Sequence, residues 1–509
     1  MTYRCCAATL LLLISMLALS AKPPRPTLQP LGRTIDLNVG ESQEVKLCDG
    51  QRAHVKLFKL RETRDDLRHA IRRAEVQIEV NGQKLSLVSG NYRLPVSVAG
   101  VQIDCPVTRG FKQNSMRNDL NEDPWGLDRD VRLRLWPAGS PLVQPGTFLY
   151  PVRQRWFASG TQMGNEPVHV DGCENPLSKQ IYYHYGLDMG GAEGLVEVVA
   201  ATDGLVVSAG KRVLPGYERT PVSPTYDAVC MLDARGWYLR YCHLHEIHAA
   251  VRPGVKVRMG QPIGSLGKEG GSGGWSHLHF DITGRQPSGK WGIIDGYAFL
   301  WEAYRHQYHP RLVAVARPHQ LAAVGQNVVL DGSRSWSAGG KIASYEWTFA
   351  DGQTATGATV EHSYLKPGVY SEVLRVTDAT GESDYDFGEV HVVDPKHPDR
   401  LPPGIHAAYY PTFGVKPGDS VTFLVRTFGT TAGKETWDFG DGSPSESVQS
   451  DGNARKLAPD GYARTTHRYA RAGHYLVRVE RTNRYGYSAI AHLQVRVGVG
   501  PNGRDKRKK

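Results

Sequence analysis

Three short segments of this chain place histidine and aspartate at spacings that suit metal-assisted hydrolysis. The first runs Tyr183-His184-Tyr185-Gly186-Leu187-Asp188, the second Tyr241-Cys242-His243-Leu244-His245, and the third Ser276-His277-Leu278-His279-Phe280-Asp281. A borderline cation such as Zn²⁺ takes imidazole nitrogen and carboxylate oxygen, and its hydrolytic sites use three protein ligands with one position left for water. His184 and Asp188 are four apart, a spacing that one face of a strand or a helical turn can present together. His277 and His279 alternate with Leu278, Phe280 and Ile282, which predicts a strand with both imidazoles on one face. Residues 237–244 read as a similar strand, in which His243 points the opposite way from Cys242. Scattered polar positions on a half-exposed sheet would account for one His-x-His pair. Three histidine-bearing, strand-like segments so close together call for chemistry instead.

These motifs, in this order, with the glycine-rich run from Gly267 to Gly274 directly before the third, resemble the lysostaphin or LytM-type (beta-lytic) zinc metallopeptidases over roughly residues 165–300. The resemblance implies a peptidase that takes Zn²⁺. It makes His184, Asp188 and His279 the metal ligands, and sets His243 and His277 beside the metal-bound water and the oxyanion of the intermediate. The chemistry agrees with that division. Zinc lowers the pKa of bound water to about 7 and polarises the scissile carbonyl, while imidazoles off the metal move protons or donate hydrogen bonds. No His-Glu-x-x-His sequence occurs, so a helix-borne glutamate base is not at hand. His245, two residues beyond His243 on what reads as the same strand face, is assigned to the surface because the ligand set is complete without it. The glycine run lacks the Gly-Lys-Ser/Thr ending of a phosphate cradle and is read as a flexible substrate-side loop.

The chain that must position these residues is 509 long, enough for several domains. Residues 22–149 are strand-rich and carry no motif that points to a family; a passive β-domain is the default expectation, with positioning of substrate or shielding of the site as the alternatives. Asn81-Gly82 predicts a two-residue hairpin turn, and 64–73 reads as a short helix. Residues 144–172 read as a linker that becomes the first strands of a peptidase domain spanning 150–310. Strands are expected there near 194–199, 204–209, 227–233 and 237–244. Tyr297, Leu300, Trp301 and Tyr304 predict an amphipathic helix packed on the sheet.

Residues 311–396 and 397–498 contain an internal repeat. Trp347, Phe349 and Asp351-Gly352, followed by His362, Tyr364 and Gly368-Val-Tyr370, recur as Trp437, Phe439 and Asp441-Gly442, followed by His467, Tyr469 and Gly473-His-Tyr475. Both copies resemble PKD (polycystic kidney disease) domains. The first departs at Thr348 and Ala350, and the second carries an insertion near 443–460. Alternating strands with Asp-Gly turns predict β-sandwiches with Trp347 and Trp437 in their cores. The Asp-Gly pairs are read as turn chemistry rather than Ca²⁺ sites. Holding no catalytic cluster, the repeats are expected to be dispensable for a small soluble peptide and to matter on insoluble substrate. The fold class is therefore mainly β and multidomain: an N-terminal β-rich domain, an antiparallel-β zinc peptidase domain, and two Ig-like β-sandwiches.

Arg4, the apolar run 7–19 and the small residues to Ala21 have the order of a secretory signal (1–21), which places the mature protein outside the cell or in the periplasm or envelope. No later run is apolar and long enough to span a membrane. Beyond Cys5 and Cys6, the cysteines are Cys48, Cys105, Cys173, Cys230 and Cys242, an odd count. A Cys48–Cys105 bond would close the N-terminal domain; pairing of Cys230 with Cys242 is left open by their register. Part of the net charge of +10 sits in the basic tail, 499–509. It is read as a solvated end, and without interleaved aromatics no nucleic acid is expected as partner. Three functions remain in view. The favoured one is a secreted zinc endopeptidase acting on peptidoglycan, because all five key positions are present. The others are a catalytically inactive zinc-binding adhesion or regulatory protein, and a broad extracellular proteinase whose repeats grip a fibrous or carbohydrate-rich partner. The oligomeric state is not legible.

Overall fold

A computed structural model describes residues 23–112, 123–167 and 175–498; the signal-like segment, Cys173 and the basic tail lie outside these. The regular structure of the described residues is nearly all strand, with one α-helix, Tyr297–Tyr308.

The N-terminal part is two four-stranded antiparallel sheets closed over one core that includes Ile35, Val55, Leu57, Ile78, Ile103 and Leu133. Asn81 (φ 49°) and Gly82 (φ 83°) turn the chain between the strands Ile71–Val80 and Gln83–Val88, the paired positive φ values that a tight hairpin requires. The helix expected at 64–73 does not form. Arg52–Arg64 and Ile71–Val80 pair as one long hairpin, and Ala70 and Ile71 are buried at its tip with Phe111, Trp125 and Tyr183. Their apolar spacing is satisfied by docking across domains rather than along a helix face. Arg68 donates to Ser178 O (2.8 Å) and Gln180 O (2.7 Å), and Tyr183 Oη accepts from Ile71 N (2.7 Å). The hairpin tip thus grips the stretch that leads into His184.

Cys48 and Cys105 are free thiols, as are Cys230 and Cys242. Cys105 is buried on the strand Val101–Thr108, whereas Cys48 is half-buried beyond a strand of the opposite sheet. Cys230 faces Arg240 across the ladder, so Cys242 lies two residues further along the partner strand, diagonal to it rather than opposite.

The middle part is built on an antiparallel sheet in which Val229–Asp233, Tyr238–Cys242, His277–Arg285, Leu187–Gly190 and Thr161–Gln162 lie side by side. Leu278, Phe280 and Ile282 point from one face into a core shared with Leu239, Tyr241 and the helix residues Phe299, Leu300 and Trp301. The other face is left to His277, His279 and Asp281, as two-residue alternation dictates. The stretch 144–172 joins this domain from its start rather than after a linker: Phe148, Tyr150, Val152 and Trp156 are already in the same core, and Thr161–Gln162 supplies an expected early strand, paired with Leu187–Gly190. The two C-terminal repeats are β-sandwiches with Trp347 and Trp437 fully buried. A parallel bridge between Val369 and Ala489 joins them through one sheet. No described helix is long and apolar enough to cross a membrane.

Candidate metal centre and active site

Asp188 lies directly opposite His279 in the ladder between Leu187–Gly190 and His277–Arg285. On the other side, Cys242 lies opposite His279 and Arg240 opposite Asp281. Pairing alone therefore lines up Asp188, His279 and Cys242 across three strands. His184 is not on a strand. The chain bends at Gly186 (φ 92°), where a Cβ would come within 3.0 Å of His279 Cε1, and the bend returns His184 to Asp188. The i,i+4 spacing works here through a kink instead of a straight strand face.

The result is a tight buried cluster. His184 Nε2 is 3.1 Å from Asp188 Oδ2 and 3.1 Å from His279 Nδ1, and His279 Nδ1 is 2.8 Å from Asp188 Oδ1. Ligands of a tetrahedral zinc at ordinary bond lengths stand about 3.3 Å apart, so these three side chains fit such a cation with little rearrangement. Two imidazole nitrogens and a carboxylate suit the same ion. Behind the cluster, His279 Nε2 lies 3.3 Å from Asp281 Oδ2, which in turn accepts from Arg240 Nε at 2.6 Å.

His243 reaches the site by an irregularity. The strand Tyr238–Cys242 ends one residue before it, His243 adopts φ 66°, and Leu244–Ile247 joins a different sheet. Regular alternation would face His243 away from Cys242; the kink lets both line the cavity. It also separates His245 from that face. His245 keeps 49% of its side chain exposed, beside Glu193.

Hydrogen bonding sets the two remaining imidazoles. His243 Nδ1 contacts Glu269 O (2.7 Å) and Asp227 Oδ2 (3.2 Å), and its backbone N–H donates to Asp227 as well (3.0 Å). A carbonyl only accepts, so Nδ1 carries the proton and Nε2 is left for the cavity. His277 donates from Nδ1 to Trp275 O (3.1 Å) and stacks on the Trp275 indole at 3.9 Å, leaving Nε2 3.5 Å from Asp188 Oδ2. The two rings stand 4.7 Å apart.

The electrostatics of the two strand histidines diverge. Burial pushes His277 well below the usual imidazole value, against the pull of Asp188. Burial acts on His279 too, but Asp188 and Asp281 outweigh it and raise the ring to about 9. Burial would raise Asp188, yet His184, His277 and His279 hold it well below the carboxylate range. Asp227 is likewise held low against burial by its bonds to His243 and Thr225, and Asp281 by Arg240 and His279. Burial lifts the Cys242 thiol to about 12, which keeps it protonated and unreactive.

The cluster floors a cavity of about 540 Å³ walled by Tyr182, Tyr185, Lys211, Tyr226, Gly270 and Gly271. Gly270 (φ 63°) has no room for a side chain, because a Cβ would meet the Asp227 carboxylate at 2.5 Å. All described lining residues fall within 182–279, and none belongs to the N-terminal domain. The glycine-rich loop does face the cavity, but it is tied down: Ser272 is buried and its Oγ donates to Lys268 O while accepting from Gly274 N (3.1 Å). Asp227, Trp275, Arg240 and Asp281 were not singled out from sequence. Asp281 and Arg240 carry a signal, the continued alternation from His279 and Cys242. Asp227 carries none, since only the fold brings it to His243.

Residues 182–289 match Peptidase family M23, and residues 310–392 and 406–497 match PKD domains. The chain thus carries an M23 peptidase domain followed by two PKD domains. It is similar to Collagenase ColA of Clostridium perfringens, 34% identical over 83 residues, covering 16% of this chain and 8% of that protein. It is also similar to the pre-pro-metalloprotease PrtV of Vibrio cholerae, 36% identical over 107 residues, covering 21% and 11%. The chain thus spans only 8–11% of the length of these relatives. Among solved structures, the catalytic domain of the prophage-encoded M23 protein EnpA from Enterococcus faecalis is 20% identical, covers 28% of this chain and 94% of that one, and gives a TM-score of 0.19.

Proposed function

We propose that the M23 domain makes this chain an exported zinc endopeptidase that cleaves peptide bonds in bacterial cell-wall peptidoglycan. The observation that carries the reading is one cavity floor, where His184 Nε2, Asp188 and His279 Nδ1 converge while His243 and His277 each keep Nε2 unclaimed beside them. Zinc held by His184, Asp188 and His279 would supply a Lewis acid for the scissile carbonyl and a water of lowered pKa. His277, kept neutral by burial, accepts a proton from the attacking water at Nε2. His243 is oriented by Asp227, whose carboxylate can balance a charge on the ring. In the charged form that Asp227 balances, its Nε2–H donates to the developing oxyanion and passes that proton to the leaving nitrogen, while the proton taken up by His277 goes to solvent. The substrate class rests on the likeness of the three motifs to the lysostaphin and LytM-type enzymes, and export on the signal-like first residues.

A second reading, cleavage of an extracellular protein, is favoured by the collagenase and metalloprotease names of the relatives, over 8% and 11% of their lengths. Parallel digestion of purified sacculi and gelatin by the zinc-loaded full chain separates the two. Soluble peptides released from sacculi alone, and not after chelation, are expected. Cleavage of gelatin alone would move the account to the second reading. Cleavage of neither would leave a zinc-binding module without catalysis.

A further inference from the structure

The loop that carries Trp275 is fastened from outside the peptidase domain. Arg426, fully buried on the strand Ser420–Phe428 of the second PKD domain, donates to Gly274 O at 2.6 Å. The same guanidinium bonds Asp451 (2.8 and 2.7 Å), Arg455 O (2.8 Å) and Lys456 O (2.8 Å), so every N–H it owns is used. Asn453 donates to Gly273 O at 3.2 Å. Tyr462 Oη accepts from Ser276 N at 2.7 Å and lies 2.7 Å from His406 Nδ1. His406 Nε2 in turn meets Ser159 Oγ at 2.9 Å, and Ser159 donates to Ala407 O at 2.6 Å. This chain of donors closes without a gap if His406 is neutral, and burial does push that ring down to about 3.

The sequence around the contact is cut to fit it. At Gly274 (φ 96°) a Cβ would come within 2.9 Å of Lys456 O, and at Gly190 within 2.9 Å of His406 Nε2. Asp451, Asn453, Arg455 and Lys456 all belong to the stretch by which the second repeat departs from the PKD pattern. The Trp275 indole is held between them and the site, edge-on to His406 at 5.2 Å and stacked on His277 at 3.9 Å.

We infer that the second PKD domain is a working part of the active site: Arg426, Asn453 and Tyr462 fix Gly273 to Ser276, and through them the indole and the Trp275 carbonyl that set the His277 ring. None of the three lines the cavity; they are positioning residues. This runs against the expectation that the repeats can be removed without loss on a small peptide. Its kinetic half rests on the reading of His277 as the proton acceptor, while its structural half does not.

The test uses the full chain and Tyr462→Phe, with Tyr469→Phe as control. Tyr469 lies in the core of the same domain, where its hydroxyl donates to Phe439 O at 3.3 Å, away from the loop. Three quantities are read: amide exchange over residues 273–277, zinc content, and kcat and KM on soluble cross-linked muropeptides (or gelatin, should that be the substrate). Losing one hydrogen bond of ordinary strength predicts about a fivefold rise in loop exchange and a similar fall in kcat for Tyr462→Phe, with zinc and KM unchanged. Tyr469→Phe should move neither exchange nor kcat. Unchanged loop exchange in Tyr462→Phe, raised exchange with unchanged kcat, or equal effects from Tyr469→Phe would overturn the inference. If the parent chain cleaves neither probe, the functional reading falls, and the exchange arm alone decides whether the PKD domain holds the loop.

Discussion

Replacing Asp281 by Asn tests whether the carboxylate behind His279 acts on the metal centre. Asp281 Oδ2 sits 2.6 Å from Arg240 Nε and 3.3 Å from His279 Nε2, with Asp281 and His279 buried. The amide keeps the shape and removes the charge. His279 then loses the group that fixes its ring and raises its basicity, and the Arg240 guanidinium is left as an uncompensated positive charge on the cation's side. Loss of an outer carboxylate of this kind costs 10–100-fold in metal affinity, about 1.4–2.7 kcal/mol. The stranded guanidinium puts the expectation at the upper end. Competition against a chromophoric chelator at pH 7.5 measures it, with circular dichroism as the check on folding. Turnover should recover at saturating zinc, because no proton-transfer group has been touched. A folded variant that binds zinc within twofold of the parent would refute the reasoning.

Replacing His243 or His277 by Ala should leave zinc in place and lower turnover by about 10²–10⁴, whereas His245→Ala stays within twofold; should His277→Ala lose metal and His279→Ala keep it, the roles of the pair are reversed. Glu372, fully buried in the first PKD domain, is raised by burial from about 4.5 to about 7. The folded state thus binds more protons than the unfolded one between these values. Its contribution is complete below about pH 4.5 and lost as pH rises through 7, about 3 kcal/mol in all. The unfolding midpoint of that domain should therefore fall from pH 5 to 8, and Glu372→Gln should flatten the slope; an equal slope in the variant would exclude the assignment. Cys242, whose thiol burial lifts to about 12, should resist iodoacetamide at pH 7.5 although it lines the cavity, and rapid labelling seen by peptide mapping would contradict this.

Much of the architecture is written in local pattern. Alternation along 277–282 sets which face is core and which is polar; Asn81-Gly82 encodes its turn; Tyr297 to Tyr304 encode the helix; the two Trp-x-Phe-x-Asp-Gly runs mark the repeats. What local pattern could not show is where an element stops. Nothing at His243 announces a left-handed residue, so the strand reads straight on through Leu244 and wrongly puts His245 on the same face. The 64–73 stretch has helical spacing, but its apolar residues are claimed by another domain. Phe148 to Trp156 read as a linker because their burial depends on a core assembled from distant strands. Asp227 and the Arg426 contact with Gly274 are tertiary in origin, and the insertion near 443–460 was visible without its purpose being so.

The central claim is that His184, Asp188 and His279 hold the catalytic metal. Elemental analysis and sacculus hydrolysis, measured together on the parent chain and on Asp188→Ala, test it most directly. The account predicts one zinc per parent chain with peptide release, and neither zinc nor release in a folded Asp188→Ala. Full zinc occupancy in that variant would contradict it.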